Sequence, residues 1–379
     1  MRRLATRCFS TSAWKQEIRR LDELPSCVRP SFTEIPYHGL HSLKWPQPPH
    51  NILLVGKSND QRVQGALVEF SRHIKSTYPD TNVILEPEAA QNLHAEIEFA
   101  VSAQGEGDAQ YQDTVDMIST FGGDGTVLHA ASLFATAPRV PPVLSFSMGT
   151  LGFLGEWSFS DYQRAFHTAY YSGIDKKSMS RVIMRDRLRV GIFGPDGKRI
   201  PHEPPFTPTG QQCNDVLALN EVLLHRGALP HMAHITILIG SPPHQQTLTT
   251  AIADGFLVST PTGSTAYSLS SGGSIVHPLV HSLLLTPICP RSLSFRPLVL
   301  PAHTPITLRI DAENRGKEIE VSADGMRRQR GLGAGMEVRV VGENGTSGVP
   351  FVLSSNGDDY WVGGLNGLLK FNNQFGGDR

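Results

Sequence analysis

Cysteine is scarce in this chain of 379 residues, and the four present, Cys8, Cys27, Cys213 and Cys289, form no C-x-x-C pair and have no histidine at metal-ligand spacing. A disulfide framework and a structural zinc site are thereby excluded, and the four read as free thiols in a reducing compartment. No apolar run approaches the roughly 20 residues that a membrane-spanning helix needs, so a soluble protein with no membrane partner is expected. Neither sign of charge is in excess: the net charge is -1 with 18% charged residues, which argues against nucleic acid or an acidic membrane as the main partner. Internal repeats and low-complexity tracts are missing. So are G-x-x-x-x-G-K-[ST] and the protein-kinase signatures, which removes two common modes of nucleotide binding.

What is present is length enough for two cores, and 36 glycines that gather in pairs such as Gly122-Gly123, Gly272-Gly273 and Gly363-Gly364. The first twenty residues differ from the rest. Arg2, Arg3, Arg7, Lys15, Arg19 and Arg20 sit among Ser, Thr and Ala with Glu17 as the only acid, the composition of a mitochondrial transit peptide. Residues 1–50 are expected to be this presequence followed by a loose leader rich in Pro, His and Ser.

Short apolar runs then alternate with helical spacing. Asn51 to Lys57, Val83 to Leu85, Asp116 to Phe121 and Val143 to Phe146 read as buried strands, and Val63 to Tyr78, Thr126 to Ala135 and Tyr162 to Tyr171 as helices. That alternation predicts an open, mostly parallel α/β sheet over 51–175. From 176 to 350 the pattern turns to strands: Arg181 to Phe193, Val216 to His225, Ile235 to Ile239, Leu248 to Thr260, Ile306 to Ile310 and Glu318 to Ser322. Gly and Pro turns separate them, as in an all-β domain. Pro195 to Gln212 looks like an insertion, and His281 to Arg296 like a short irregular region. Trp361, Leu365, Leu368 and Leu369 give Tyr360 to Asn372 helical spacing.

The sharpest motif is Phe121-Gly122-Gly123-Asp124-Gly125-Thr126, placed between a predicted strand and a predicted helix. Ligands of α/β sheets bind at the carboxyl ends of strands, and glycine-exposed amides at a helix N-terminus form an anion site. A phosphate fits there, held by Gly122, Gly123 and Thr126, with the carboxylate of Asp124 beside it. A tight turn in which Asp124 merely caps the helix fits the same residues. Asn220-Glu221 pairs an amide with a carboxylate able to accept from a ribose diol, and equally reads as a solvated pair at a strand edge. Ser259 to Gly273 packs hydroxyls and glycines into one irregular stretch suited to a polar, extended ligand, or to hydroxyls that satisfy their own backbone.

The G-G-D-G-T run resembles the superfamily of NAD kinases, 6-phosphofructokinases and diacylglycerol and sphingosine kinases. Ser147 to Leu154, Leu219 to Gly227 and Ala253 to Gly273 resemble the further motifs of the NAD kinase family, in that family's order, and with the presequence the chain is similar to its fungal mitochondrial branch. The resemblance implies an N-terminal Rossmann-like α/β domain, then a C-terminal β-sandwich, with a C-terminal helix (351–379) returning to the first domain. It implies transfer of the γ-phosphoryl group of ATP, with Mg²⁺ held through the ATP phosphates, to the 2′-hydroxyl of the adenosine ribose of NADH or NAD. It also implies a homo-oligomer, dimer or tetramer. By the same resemblance Asp124 is catalytic, no residue is a metal ligand, and Gly125, His129, Asn220, Glu221, His231, Asp254, Thr262, Thr265, Ala266, Tyr267 and Ser270 bind the dinucleotide. Asp324, in an Asp-Gly pair that reads as a hairpin turn, stays outside this set. A lipid kinase sharing G-G-D-G-T, and a dinucleotide-binding sensor without catalysis, are the competing readings. The expected location is the mitochondrial matrix. Residues 1–20 fused to a fluorescent reporter should carry it into the matrix, and a reporter left in the cytosol would refute the presequence.

Overall fold

The computed structural model describes residues 18–354, apart from 58, 98, 104–109, 150, 151, 176, 203–212, 229, 293 and 344–346, together with residues 361 and 365. The chain forms an α/β unit and an all-β unit. The first is an 11-stranded sheet in the order Ile18–Arg20, Val101–Ala103, Asn82–Leu85, Asn51–Gly56, Met117–Phe121, Val143–Ser147, Val349–Val352, Ser180–Arg185, His41–Lys44 and Ser31–Glu34, with Trp157–Ser158 paired beside Val143–Ser147. Continuous apolar runs such as Ile52-Leu53-Leu54-Val55 are buried on both faces, as parallel strands covered by helices require. Helix Gln61–Thr77 starts at Asp60, whose side chain accepts from the amides of Arg62 and Val63, and buries Val63, Leu67, Phe70 and Ile74. Phe70 meets Phe121, Phe146 and Phe166 edge-to-face at 5.1 to 5.5 Å. The five central parallel strands run third, second, first, fourth, fifth in chain order, so strand order reverses between Asn51–Gly56 and Met117–Phe121. At their carboxyl ends lies the crevice where such sheets bind ligands, and the Gly122-Gly123 turn opens into it.

The leader is structured where looseness was expected. Ser31–Glu34 and His41–Lys44 extend the sheet antiparallel to Ser180–Arg185, and Ile18–Arg20 pairs parallel with Val101–Ala103 at the other edge. Strands of three or four mostly polar residues carry too little alternation to be read from sequence. Their anchors are non-local: the buried Asp116 carboxylate accepts from the amides of Val28, His50 and Asn51 at 2.6 to 2.9 Å, and the indole of Trp45 donates to Ala169 O. The chain returns to this sheet near its end as the strand Val349–Val352, between Val143–Ser147 and Ser180–Arg185. Of the expected C-terminal helix only Trp361, whose ring lies 4.6 Å from that of His277, and the buried Leu365 fall among the described residues.

The second unit packs a 7-stranded sheet on a 6-stranded one. Inward residues of both, among them Val190, Ile235, Leu308 and Val340 from one and Leu224, Phe256, Leu285 and Val321 from the other, form its core. Three runs that look like single strands each break and change sheets. Arg181 to Phe193 divides at Asp186, so that Ser180–Arg185 stays in the α/β sheet and Arg187–Phe193 enters the sandwich. Val216 to His225 divides into Asp215–Ala218 and Glu221–His225, and Leu248 to Thr260 into Gln246–Ala253 and Gly255–Ser259, with the halves in opposite sheets. The region from His281 is a buried strand, Ser282–Ile288, not irregular chain. Proline removes a donor from a ladder, and Pro287 lies beyond the pairing with Leu298–Pro301, which ends at Leu285, so its missing N–H interrupts nothing on that side.

Arg187 is buried at one of these crossings, and donates to the carbonyls of Phe134, Ala137, Pro138 and Ser347 at 2.6 to 3.3 Å. Burial pulls its pKa down to about 10. Arg187→Met keeps the apolar stem but strips four carbonyls of their donor; the loss outweighs the desolvation recovered. Urea unfolding should show a stability lower by about 3 kcal/mol, and an unchanged midpoint would show that the carbonyls find other donors.

Candidate active site

The Gly122 to Thr126 turn is shaped by two close approaches. A Cβ on Gly122, whose φ is +156°, would collide with Thr126 Oγ1. Thr126 is itself buried, and its Oγ1, lying under Gly122, has no hydrogen-bond partner. Gly123 and Gly125 are exposed, and a Cβ on either would meet open space, leaving amides at the start of helix Asp124–Ser132 accessible to an anion. Gly123 occupies the N-cap position. Asp124 is therefore not a cap, which removes that reading. Its carboxylate instead accepts from the amides of Phe153 at 3.1 Å and Leu154 at 2.9 Å, and a Cβ on Gly152 would collide with it. The glycine at 152 exists to let that carboxylate in.

Asn220-Glu221 lies where the chain steps between the sandwich sheets. Asp324, in the left-handed region at φ 47° and followed by Gly325 at φ 79°, turns the chain between Glu320–Ala323 and Met326–Arg327. It does more than turn. Its carboxylate accepts from the amides of Leu219, Asn220 and Glu221 at 2.6 to 3.1 Å, which fixes the direction of both site residues. Sequence reasoning missed this because an Asp-Gly pair signals a turn and says nothing of what its carboxylate reaches. Asn220 Oδ1 and Glu221 Oε2 are buried with no hydrogen-bond partner. Burial, and secondarily the charge of Asp324, pushes the Glu221 carboxyl up to about 8.

The segment after Ser259 is tied to the same place. Thr260 donates its amide to Asn220 O and its hydroxyl to Leu219 O, and a Cβ on Gly263 would collide with Asn220 O. Thr262 to Thr265 forms a 3₁₀ turn and Tyr267 to Ser270 one helical turn. Thr262 is buried; Thr265 and Ala266 are partly exposed, and Tyr267 and Ser270 exposed. The hydroxyl of Thr265 donates to Thr262 O, so part of this Ser/Thr-rich stretch does satisfy its own backbone. Arg185 Nη1 donates to Thr262 Oγ1 at 3.4 Å, and Arg185 Nη2 to Phe153 O at 3.3 Å. The turn of Asp124 and the stretch of Asn220 are thus joined through one side chain.

Three expected residues do not gather here. Glu221 pairs with Ser259 and His225 with Gly255, so Asp254 lies at the far end of that ladder, about 20 Å along the strand from Thr260. There its carboxylate accepts from Arg226 Nε at 2.6 Å. His231 is exposed in the connection beyond Arg226, on the same far side. His129 shares the helix of Asp124 but contacts Glu86, Nε2 to Oε1 at 2.6 Å. Spacing in sequence did not reveal that a strand points its two ends in opposite directions.

The family model for the ATP-NAD kinase N-terminal domain matches residues 56–174, and that for the ATP-NAD kinase C-terminal domain residues 219–345. A mitochondrial NADH kinase of Schizosaccharomyces pombe is 38% identical, over 96% of this chain and 88% of that protein. The crystal structure of yeast NADH kinase complexed with NADH superposes with a TM-score of 0.80 at 35% identity, covering 95% of this chain and 98% of that one. An NAD kinase from Archaeoglobus fulgidus in complex with ATP shares the fold, with a TM-score of 0.56 at 19% identity over 84% and 99%.

The raised pKa of Glu221 has a consequence for the ligand-free protein. A carboxyl at about 8 when folded and near 4.3 when unfolded contributes stability that is fully present below the unfolded value and lost as pH rises to the folded one. Glu221→Gln lacks that slope. Its melting temperature relative to the natural protein should rise between pH 5 and 8 and level off above; a difference independent of pH would place an ordinary carboxylate at 221.

Proposed function

Because this chain belongs to the ATP-NAD kinase family, we propose that Asp124, the Gly122 to Gly125 turn and the Asn220-Glu221 pair form the centre of an NAD(H) kinase. It transfers the γ-phosphoryl group of ATP to the 2′-hydroxyl of the adenosine ribose of NADH and NAD, giving NADPH and NADP. The observation that carries the assignment of roles is the set of unspent polar atoms. Asn220 Oδ1 and Glu221 Oε2 are buried and unpartnered, as groups kept for a ligand are, in a chain that matches the family over both halves. A ribose diol donating two hydrogen bonds to Glu221 favours its ionised form and offsets the burial that holds it near 8. The Asn220 amide meets a base edge, and the loop from Thr262 through Thr265, Ala266, Tyr267 and Ser270 lines the rest of the dinucleotide.

Phosphoryl transfer has a loose transition state, so the protein acts by positioning and by neutralising charge. Gly123 and Gly125 offer amides to phosphate oxygens. Asp124, aimed by Phe153 and Leu154, orients the acceptor hydroxyl and takes its proton late. Mg²⁺ carried on the ATP substrate would neutralise phosphate charge there. Asp124 is the carboxylate that would face it. We place the enzyme in mitochondria, in the matrix, as a homo-oligomer. Names of relatives support the organelle; a dimer or tetramer is expected by scattering. A lipid kinase is disfavoured by the match of the second half.

Asp124→Asn should leave a folded protein with NADH affinity, read from nicotinamide fluorescence, within a few-fold of normal and kcat lowered at least about 100-fold. Asn still accepts one of the two amides. A near-normal kcat would remove Asp124 from the chemistry, and lipid phosphorylation without NADPH formation would overturn the function.

A further inference from the structure

Arg185 and Glu156 are an ion pair within the protein interior, both side chains 2% exposed, with Nη2 3.4 Å from Oε1. The pair is costly to bury, and burial holds the Glu156 carboxyl up at about 7 against the pull of Arg185. Stability alone does not explain such a pair, since apolar side chains of similar volume often serve equally well or better. What apolar side chains lack is direction. The guanidinium lies 4.9 Å over the ring of Phe351, in the central strand Val349–Val352, and its two terminal nitrogens reach different segments of the chain. Nη2 reaches Phe153 O and Glu156; Nη1 reaches Thr262 Oγ1.

Each of those contacts is one step from a proposed site residue. Phe153 accepts Arg185 at its carbonyl and, through its own amide, donates to Asp124. Thr262 stands two residues after Thr260, which holds the backbone of Leu219 and Asn220. A bonded route from the carboxylate of the α/β unit to the polar pair of the sandwich therefore runs Asp124, Phe153, Arg185, Thr262, Thr260, Asn220. Resting on the roles given above to Asp124 and Asn220, we propose that Arg185 is a positioning residue that sets the separation between the Asp124 loop and the dinucleotide loop, and thereby the approach of the acceptor hydroxyl to Asp124. It touches neither substrate. Its effect is on geometry in the transition state, where a displacement of an ångström costs about 100-fold in rate.

Lysine at this position keeps the charge and the bond to Glu156 but is unable to span Phe153 O and Thr262 Oγ1 together. Arg185→Lys should lower kcat about 10- to 100-fold, with NADH affinity by fluorescence and KM for ATP within about threefold. The deciding measurement is the double variant. If Arg185 acts through Asp124, adding Arg185→Lys to Asp124→Asn should lower kcat by no more than about twofold further. A full, multiplicative loss in both backgrounds, or parallel losses of kcat, NADH affinity and melting temperature, would overturn the proposal and leave Arg185 a structural residue. Near-normal kcat for Asp124→Asn alone would instead defeat the role of Asp124, a separate outcome. Should Arg185→Lys fail to fold, Thr262→Val removes the other end of the bridge and should reproduce the kcat loss with NADH affinity within about threefold; a parallel loss of NADH affinity would count against the bridge. Thr262→Ser, which restores a hydroxyl, should recover most of it, and no recovery would count against the bridge.

Discussion

Burying three consecutive charged residues is the constraint around which this molecule is arranged. Arg185, Asp186 and Arg187 are each no more than 3% exposed, at the point where the chain leaves the α/β sheet for the sandwich. Each charge taken from water has to be met by fixed partners, and the partners come from segments far apart in sequence. Arg185 draws in Phe153, Glu156 and Thr262; Asp186 takes Nδ1 of His281 at 2.8 Å; Arg187 collects carbonyls from 134 to 138 and from 347. The same three residues thereby fix the loop behind Asp124, the turn that begins at Thr262, the start of Ser282–Ile288 and the return of the chain into the central sheet. Moving the two units relative to each other would break several of these bonds at once.

Carboxylates organise the backbone in the complementary way. Asp116 gathers three amides and brings the leader onto the sheet; Asp324 gathers three and orients Asn220-Glu221; Asp124 gathers two and seats the loop from Gly152. A carboxylate that accepts several N–H bonds recovers much of its lost hydration and gives directional rigidity that apolar contacts lack. Burial still raises the pKa of Asp116 and of Asp324. Asp124 itself is partly exposed, beside the exposed Gly123 and Gly125, the position that the proposed chemistry requires.

Local patterns were legible and long-range ones were not. The strand and helix around Asp124 follow from a continuous apolar run, two glycines and helical spacing, and the helix Gln61–Thr77 from its period. The alternating strands of the second half were recognisable as strands. Their breaks at Asp186, Asn220 and Asp254 were not, because alternation continues across a change of sheet; only the polar residue at each crossing marks it. Arg185 and Glu156 escaped notice, and Asp324 was read as a turn alone, for a related reason. Their importance lies in what they reach across 29 to 105 positions of sequence, and a charged residue in isolation reads as surface.

The crossings also explain why the expected dinucleotide residues divide into two groups. A strand that runs from Asp254 to Ser259 delivers one end to the Asn220-Glu221 side and the other to Arg226. Consecutive motif residues on either side of such a strand are therefore separated by its length, however close they stand in sequence. Asn220, Glu221 and Thr262 share the end that Arg185 joins to Asp124, and there Asn220 and Glu221 each leave a buried polar atom without a partner. Asp254 at the other end is already engaged by Arg226. Of the expected dinucleotide residues, it is the pair facing Asp124 that keeps buried acceptors unsatisfied, at a cost of about 1–3 kcal/mol each that an incoming ligand with donors to spare would offset.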